Sequence, residues 1–111
     1  MVPFTKGDIV LFPFPYTDLS HRKLRPCLVL SDEMGQDVLL CQITSRQSIK
    51  DKNVVELKQQ QTIGGSLMID SFIRSNMLFT ASKHQIQRRV CKIPGSIYAQ
   101  TVDRIAQLIR K

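Results

Sequence analysis

Apolar residues along this chain fall into short runs, saturated or alternating, that give way to helical spacing only near the C-terminus. Ile9 to Phe14 is apolar on both faces and predicts a strand buried on two sides, with Pro13 and Pro15 ending it and blocking further ladder pairing. Tyr16 to Leu24 reads as a loop. Pro26 biases Arg25 toward extended geometry, and Cys27 to Leu30 predicts a second strand. Gly35 marks a turn before a third strand, Val38 to Ser45, in which Leu39, Cys41 and Ile43 share one face and Gln42 and Thr44 the other.

Arg46 to Asn53 is polar, as a connecting loop should be, and Val54 to Leu57 offers a brief fourth strand. Gln59 to Ser66 lacks an apolar period and contains Gly64-Gly65, which predicts a loop or a short helical turn. Ser71 to Ala81 alternates, placing Ile73, Met77, Phe79 and Ala81 on one face and Phe72, Arg74, Asn76, Leu78 and Thr80 on the other. Arg88 to Ile93 predicts a last strand, and Pro94-Gly95 breaks it ahead of Ser96, an expected N-cap. In the helix that follows, Tyr98, Val102, Ile105, Ala106 and Ile109 fall on the inward stripe. The sum is a mainly β fold of the α+β class, a small curled antiparallel sheet closed by one C-terminal helix.

Composition narrows the function. With 111 residues and 42% apolar content, one core and a single domain over 1–111 are expected. Sixteen Lys and Arg against nine acidic residues leave a net charge of +7, which favours polyanionic partners, nucleic acid first. Cys27, Cys41 and Cys91 are odd in number and sit in apolar segments, as buried thiols of a reducing compartment do. Neither Cys-x-x-Cys nor paired histidine spacing suggests a metal. The N-terminus lacks a signal-peptide pattern and no eighteen apolar residues run together, so a cytoplasmic protein is expected. A phosphate-binding Gly-rich loop, a GxSxG elbow and a paired-carboxylate cluster are all missing, which removes the usual hydrolase, kinase and dehydrogenase readings.

Single residues stay ambiguous at this level. An isolated Arg25 most often serves an ion pair, here with Asp8, Asp18 or another carboxylate. Thr44 is an ordinary β-former, and Arg74 beside Asn76 is either a surface charge or a phosphate ligand. His21 and His84 titrate near neutrality, yet nothing pairs either with a nucleophile. The basic clusters at 21–23, 46–52 and 83–92 either line a groove or are solvated loops.

Order along the chain adds more than any one residue. GDIVLFPFPYTDLS, then KLRPCLVLS, CQITSR and SFIRSNMLFT together resemble the MazF/PemK-like toxins of bacterial toxin-antitoxin pairs, over nearly the whole chain. The resemblance implies an SH3-like barrel with a C-terminal helix, a homodimer, and a sequence-specific, metal-independent endoribonuclease without cofactor that cuts single-stranded RNA by 2′-hydroxyl attack. It further implies a cognate antitoxin whose disordered tail folds onto the dimer, and DNA contact only through that complex. Carried over residue by residue, it makes Arg25 and Thr44 catalytic, with Ser45, Arg74, Asn76, His21 and Lys23 as substrate-binding candidates. Arg25 suits phosphate stabilisation, because a guanidinium stays protonated and offers a fork of donors.

Two features depart from the family pattern. Asn76 stands where some members carry an acidic residue, and an amide cannot accept a proton as a carboxylate does. Lys23-Leu24 replaces the glycines that often precede the Arg-Pro step. His21 or water then becomes a candidate for proton transfer. A non-catalytic binding module on the same barrel, for RNA or for a topoisomerase, and an inactive relative remain as alternative readings.

Overall fold

The computed structural model describes residues 2–15, 22–46 and 52–110. Six strands form one antiparallel sheet: β1 Asp8–Pro15, β2 Arg22–Val29, β3 Asp37–Thr44, β4 Val54–Leu57, β5 Ser71–Ser82 and β6 Arg88–Lys92, in the order β4-β5-β3-β2-β1-β6. Short 3-10 turns cover Gln59–Gln61 and Lys83–Gln85, and among the described residues one α-helix, α1, runs from Gly95 to Arg110. The sheet curls until the chain just beyond β4 reaches β6, where Ile63 and Lys92 exchange two backbone hydrogen bonds of 2.9 and 2.8 Å. This half-barrel with a C-terminal helix is the architecture that the apolar pattern predicts.

Its two faces carry two cores, because β1 and β2 are apolar on both sides. One holds Ile9, Leu28, Cys41, Ile43, Leu57 and Ile73 under Ile97 of the helix. The other holds Val10, Phe12, Cys27, Val29 and Leu40, capped by an edge-to-face trio of Phe12, Phe14 and Phe79 with centroids 5.2 to 5.4 Å apart. All three cysteines are free and buried. Burial drives the Cys27 thiol far up, and pushes that of Cys41 up to about 12 against the opposing charge of Arg74.

Four local expectations are corrected. Pro13 does not end β1, which pairs with β2 as far as Pro15↔Arg22, so that Pro15 is its last residue. The Leu11 carbonyl accepts from Gln87 on the β6 side, so alternation turns the imide nitrogens of Pro13 and Pro15 toward that same side, beyond the last β1–β6 pair. No ladder bond is lost. Consequently β2 begins at Arg22, and Lys23 and Leu24 are strand residues rather than loop.

In β5 the alternation breaks: between Cys41↔Leu78 and Ile43↔Ile73 two steps on β3 oppose five on β5. The surplus of three is odd, so Ile73 enters one core while Phe79 and Ala81 belong with the other. Ser75 is drawn inward at the bulge, giving its N–H and hydroxyl to the Asn53 carbonyl at 2.9 and 2.5 Å. The helix begins one residue before Ser96, with the Pro94 carbonyl accepting from Tyr98 at 3.1 Å. Ile97 and Thr101 are its buried positions, and Val102 and Ile109 are exposed.

The N-terminal segment is bolted to β6 through Asp8, whose fully buried carboxylate accepts from Arg89 Nε at 2.9 Å, Lys92 Nζ at 2.5 Å and the Thr5 N–H at 2.9 Å. Burial alone would raise this carboxyl, but the Lys92, Thr5 and Arg89 bonds outweigh it and hold the group below its ordinary range. Asp8 is therefore not the partner foreseen for Arg25. Among the described residues no helix is long and apolar enough to cross a membrane.

Candidate functional site

Pro26 shapes a cleft at the end of the β2–β3 ladder. β2 and β3 pair through Cys27↔Gln42, Leu28↔Cys41 and Val29↔Leu40, and there the ladder stops. Alternation aims the nitrogen of Pro26 at β3, and proline has no N–H to offer, so pairing cannot extend another step. If the register is carried past that break, Pro26 falls opposite Ile43, Arg25 opposite Thr44 and Leu24 opposite Ser45. The strands part at this point and leave an open cleft of about 340 Å³.

Four of the candidate residues, Lys23, Arg25, Thr44 and Ser45, line it. Arg25 is half-buried at the register position opposite Phe12 of β1. Thr44 closes β3, and its Oγ1 accepts from the Arg46 N–H at 3.1 Å. Acceptance uses a lone pair and leaves the hydroxyl proton able to donate toward a ligand. Ser45 and Lys23 are exposed beside it.

The cleft also contains residues that the sequence pattern did not single out. Arg88 enters because β6 pairs with β1 through Leu11↔Arg88; it belonged to a basic cluster but had no assigned neighbour. Ser66 to Ile69 form the opposite wall. The signal available for them was the Gly64-Gly65 pair, which marks a turn without saying where it leads. No Asp or Glu lines the cleft among the described residues. Its field is therefore that of three cations and several hydroxyls, suited to a phosphodiester.

Arg74 and Asn76 do not line this cleft. Both lie at the β5 bulge, where Arg74 pairs with Val54 and its carbonyl accepts the Cys41 thiol at 2.8 Å. His21 lies outside the described residues. His84 is exposed in the second 3-10 turn, where its Nε2 meets the Gln36 side-chain oxygen. Among the described residues no three His, Cys, Asp or Glu side chains gather as a metal-ligand group.

Comparison with known proteins agrees with this architecture. Residues 5–109 match the family model described as the PemK-like, MazF-like toxin of type II toxin-antitoxin systems. Among solved structures, a MazE-MazF complex from Deinococcus radiodurans superposes with a TM-score of 0.78 at 18% identity, covering 97% of each chain. An endoribonuclease in complex with its cognate antitoxin, from a mycobacterial species, gives 0.70 at 14% identity over 98% of this chain and 95% of its own. The Mycobacterium tuberculosis toxin MazF-mt6 gives 0.69 at 15% over 91% and 96%. At these identities the superpositions establish the fold. None of the curated protein sequences matches the chain.

Proposed function

Because the chain belongs to the PemK-like, MazF-like family of toxins of type II toxin-antitoxin systems, we propose that it is an endoribonuclease that cuts single-stranded RNA at its β2–β3 cleft. The observation that carries this reading is the convergence of Arg25, Thr44 and Lys23 on a cleft lined by no carboxylate among the described residues. Attack of a ribose 2′-hydroxyl on the adjacent phosphorus needs charge stabilisation on the phosphorane oxygens, a proton acceptor, and protonation of the departing 5′-oxygen. Arg25 supplies the first, presenting parallel N–H donors to two oxygens. Thr44 donates its hydroxyl to a third contact, with Ser45 and Lys23 holding the flanking backbone. Nothing in this scheme calls for a metal or a cofactor.

Arg74 and Asn76 are assigned a lesser part, binding RNA beyond the cleft. With no carboxylate or imidazole lining the described cleft, proton transfer falls to water or to His21, four residues ahead of Arg25 in sequence. The same gap favours a second reading, a basic module that binds RNA without cutting it. The ends of the products separate the two: 2′-hydroxyl attack leaves a 2′,3′-cyclic phosphate and a 5′-hydroxyl, and a 2′-deoxy nucleotide at the cut position abolishes cleavage. Intact RNA with retained binding would establish the second reading.

The antitoxin complexes among the structural neighbours support an antitoxin partner for this chain, a short polypeptide that blocks the cleft and folds on binding. The partner brings the DNA contact, and a homodimer in the cytoplasm completes the assembly. The exposed Val102 and Ile109 of α1 are apolar surface available to such contacts.

A further inference from the structure

The cleft has two chemically different halves. Alongside its cations the lining is apolar: Leu24 of β2, between Lys23 and Arg25 in sequence, and the loop residues Leu67, Met68 and Ile69. Leu67 is buried, but Leu24 is 43%, Ile69 54% and Met68 90% exposed. A basic protein gains nothing in solubility from three such side chains gathered at one opening, and a concentrated apolar patch of this kind marks a contact surface.

The loop that carries them is held at both ends. Ile63 is paired to Lys92 of β6, and Gly65 runs so close to Val90 that a Cβ there would lie 2.3 Å from its carbonyl oxygen. At the far end the Asp70 carboxylate accepts from the Gln59 N–H at 2.7 Å, and the Ser71 hydroxyl donates to the Ile69 carbonyl at 3.1 Å. The tip is thus presented in place. A ligand suited to apolar side chains gathered beside Lys23, Arg25 and Arg88 carries both an anionic group and a flat apolar one, as a nucleotide does.

We propose that Met68, with Leu24 and Ile69, forms a wall that packs against the face of one unstacked nucleobase beside the phosphate held by Arg25, and that Met68 thereby helps set base preference. This rests on the ribonuclease reading for its substrate. Extruded bases are commonly held between apolar as well as aromatic side chains, and a polarizable, unbranched thioether adapts to a ring face. An acidic antitoxin segment would be the competing occupant. A cleft of about 340 Å³ that gathers its cations and apolar side chains in one place favours one nucleotide over an extended peptide.

The test measures binding rather than cleavage. Uncleavable 2′-fluoro RNAs, each with one abasic position, are titrated against the wild type, Met68→Ala and Leu24→Ala. Exposure at Met68 makes its truncation harmless to folding, and a thermal melt verifies both variants. The wild type is expected to lose about tenfold in affinity when one particular base is removed. Met68→Ala is expected to bind intact RNA about tenfold more weakly and to be indifferent to abasic substitution at that position.

An equal abasic penalty in the wild type and Met68→Ala overturns the proposal. So does a wild type with no position-dependent penalty, or a variant impaired only toward an acidic antitoxin peptide. The ribonuclease reading fails separately, if the wild type shows the base-dependent binding but leaves ordinary RNA uncut.

Discussion

Replacing Gly65 with alanine probes how firmly the cleft's apolar wall is fixed, and its neighbour Gly64 provides the control. Both glycines have positive φ, +148° at Gly65 and +71° at Gly64. Alanine at either position removes similar conformational freedom from the unfolded chain, which favours folding by about 0.4–1 kcal/mol. Backbone strain opposes it at both, at about 1–2 kcal/mol at Gly64, which lies near the ordinary left-handed region, and more at Gly65, whose φ side chains rarely adopt. The surroundings separate them further. A Cβ at Gly64 meets nothing within 4 Å, whereas at Gly65 it would lie 2.3 Å from the Val90 carbonyl oxygen, below the 3.0 Å that real Cβ atoms respect.

Val90 is a β6 residue flanked by the Ile63–Lys92 bridge, so the loop rather than the strand must give way. Gly65→Ala should therefore cost about 2 kcal/mol more than Gly64→Ala, of the order seen for overpacking. For a domain of this size that corresponds to roughly 4–8 °C of melting temperature per kcal/mol. Urea denaturation of the two variants, read by far-ultraviolet circular dichroism, measures the difference. Equal stability of the two, within about 0.5 kcal/mol, would show that the loop is not seated on β6 and would remove the basis for a fixed wall.

Other expectations concern the N-terminal bolt and the catalytic rim. The Asp8 carboxyl lies below its ordinary 3.8 when folded, so its contribution is complete above that value and is lost as pH falls through the lower folded value. Asp8→Asn should cost about 2–3 kcal/mol near neutrality and flatten the acid limb of stability, measured as denaturation midpoint between about pH 2 and 6. Thr44→Val keeps the shape of the β3 terminus but removes the hydroxyl, and should reduce single-turnover cleavage on the order of 100-fold with little change in melting. If His21 takes the proton, His21→Gln should abolish the imidazole-range limb of the rate against pH, while an unchanged profile would leave the role to water.

Much of the fold was legible because it rests on local apolar patterning: the doubly buried β1, the boundaries of β4 and the existence of the final helix all follow from it. What escaped was pairing. Pro13 and Pro15 look like strand breakers until β6 is known to stop at Leu11, which leaves their nitrogens facing an open edge. The alternation of Ser71 to Ala81 hides an odd-numbered bulge, because only the partner strand counts the surplus residues. Arg25 and Thr44 were nameable through family resemblance, but their meeting depends on a register that Pro26 interrupts. Arg88 and Met68 reach the cleft through the β1–β6 pairing and the Ile63–Lys92 bridge, contacts of long sequence separation that leave no periodic trace.

The most direct test of the central claim is the cleavage of a long unstructured RNA by the purified protein in EDTA, compared with Arg25→Ala. Wild-type protein is predicted to cut at a few short sequences, and the variant to be slower by at least about 100-fold while keeping its fold by circular dichroism. Wild-type protein that binds the RNA and leaves it intact, or an Arg25→Ala variant that cuts as fast as the wild type, would contradict the account.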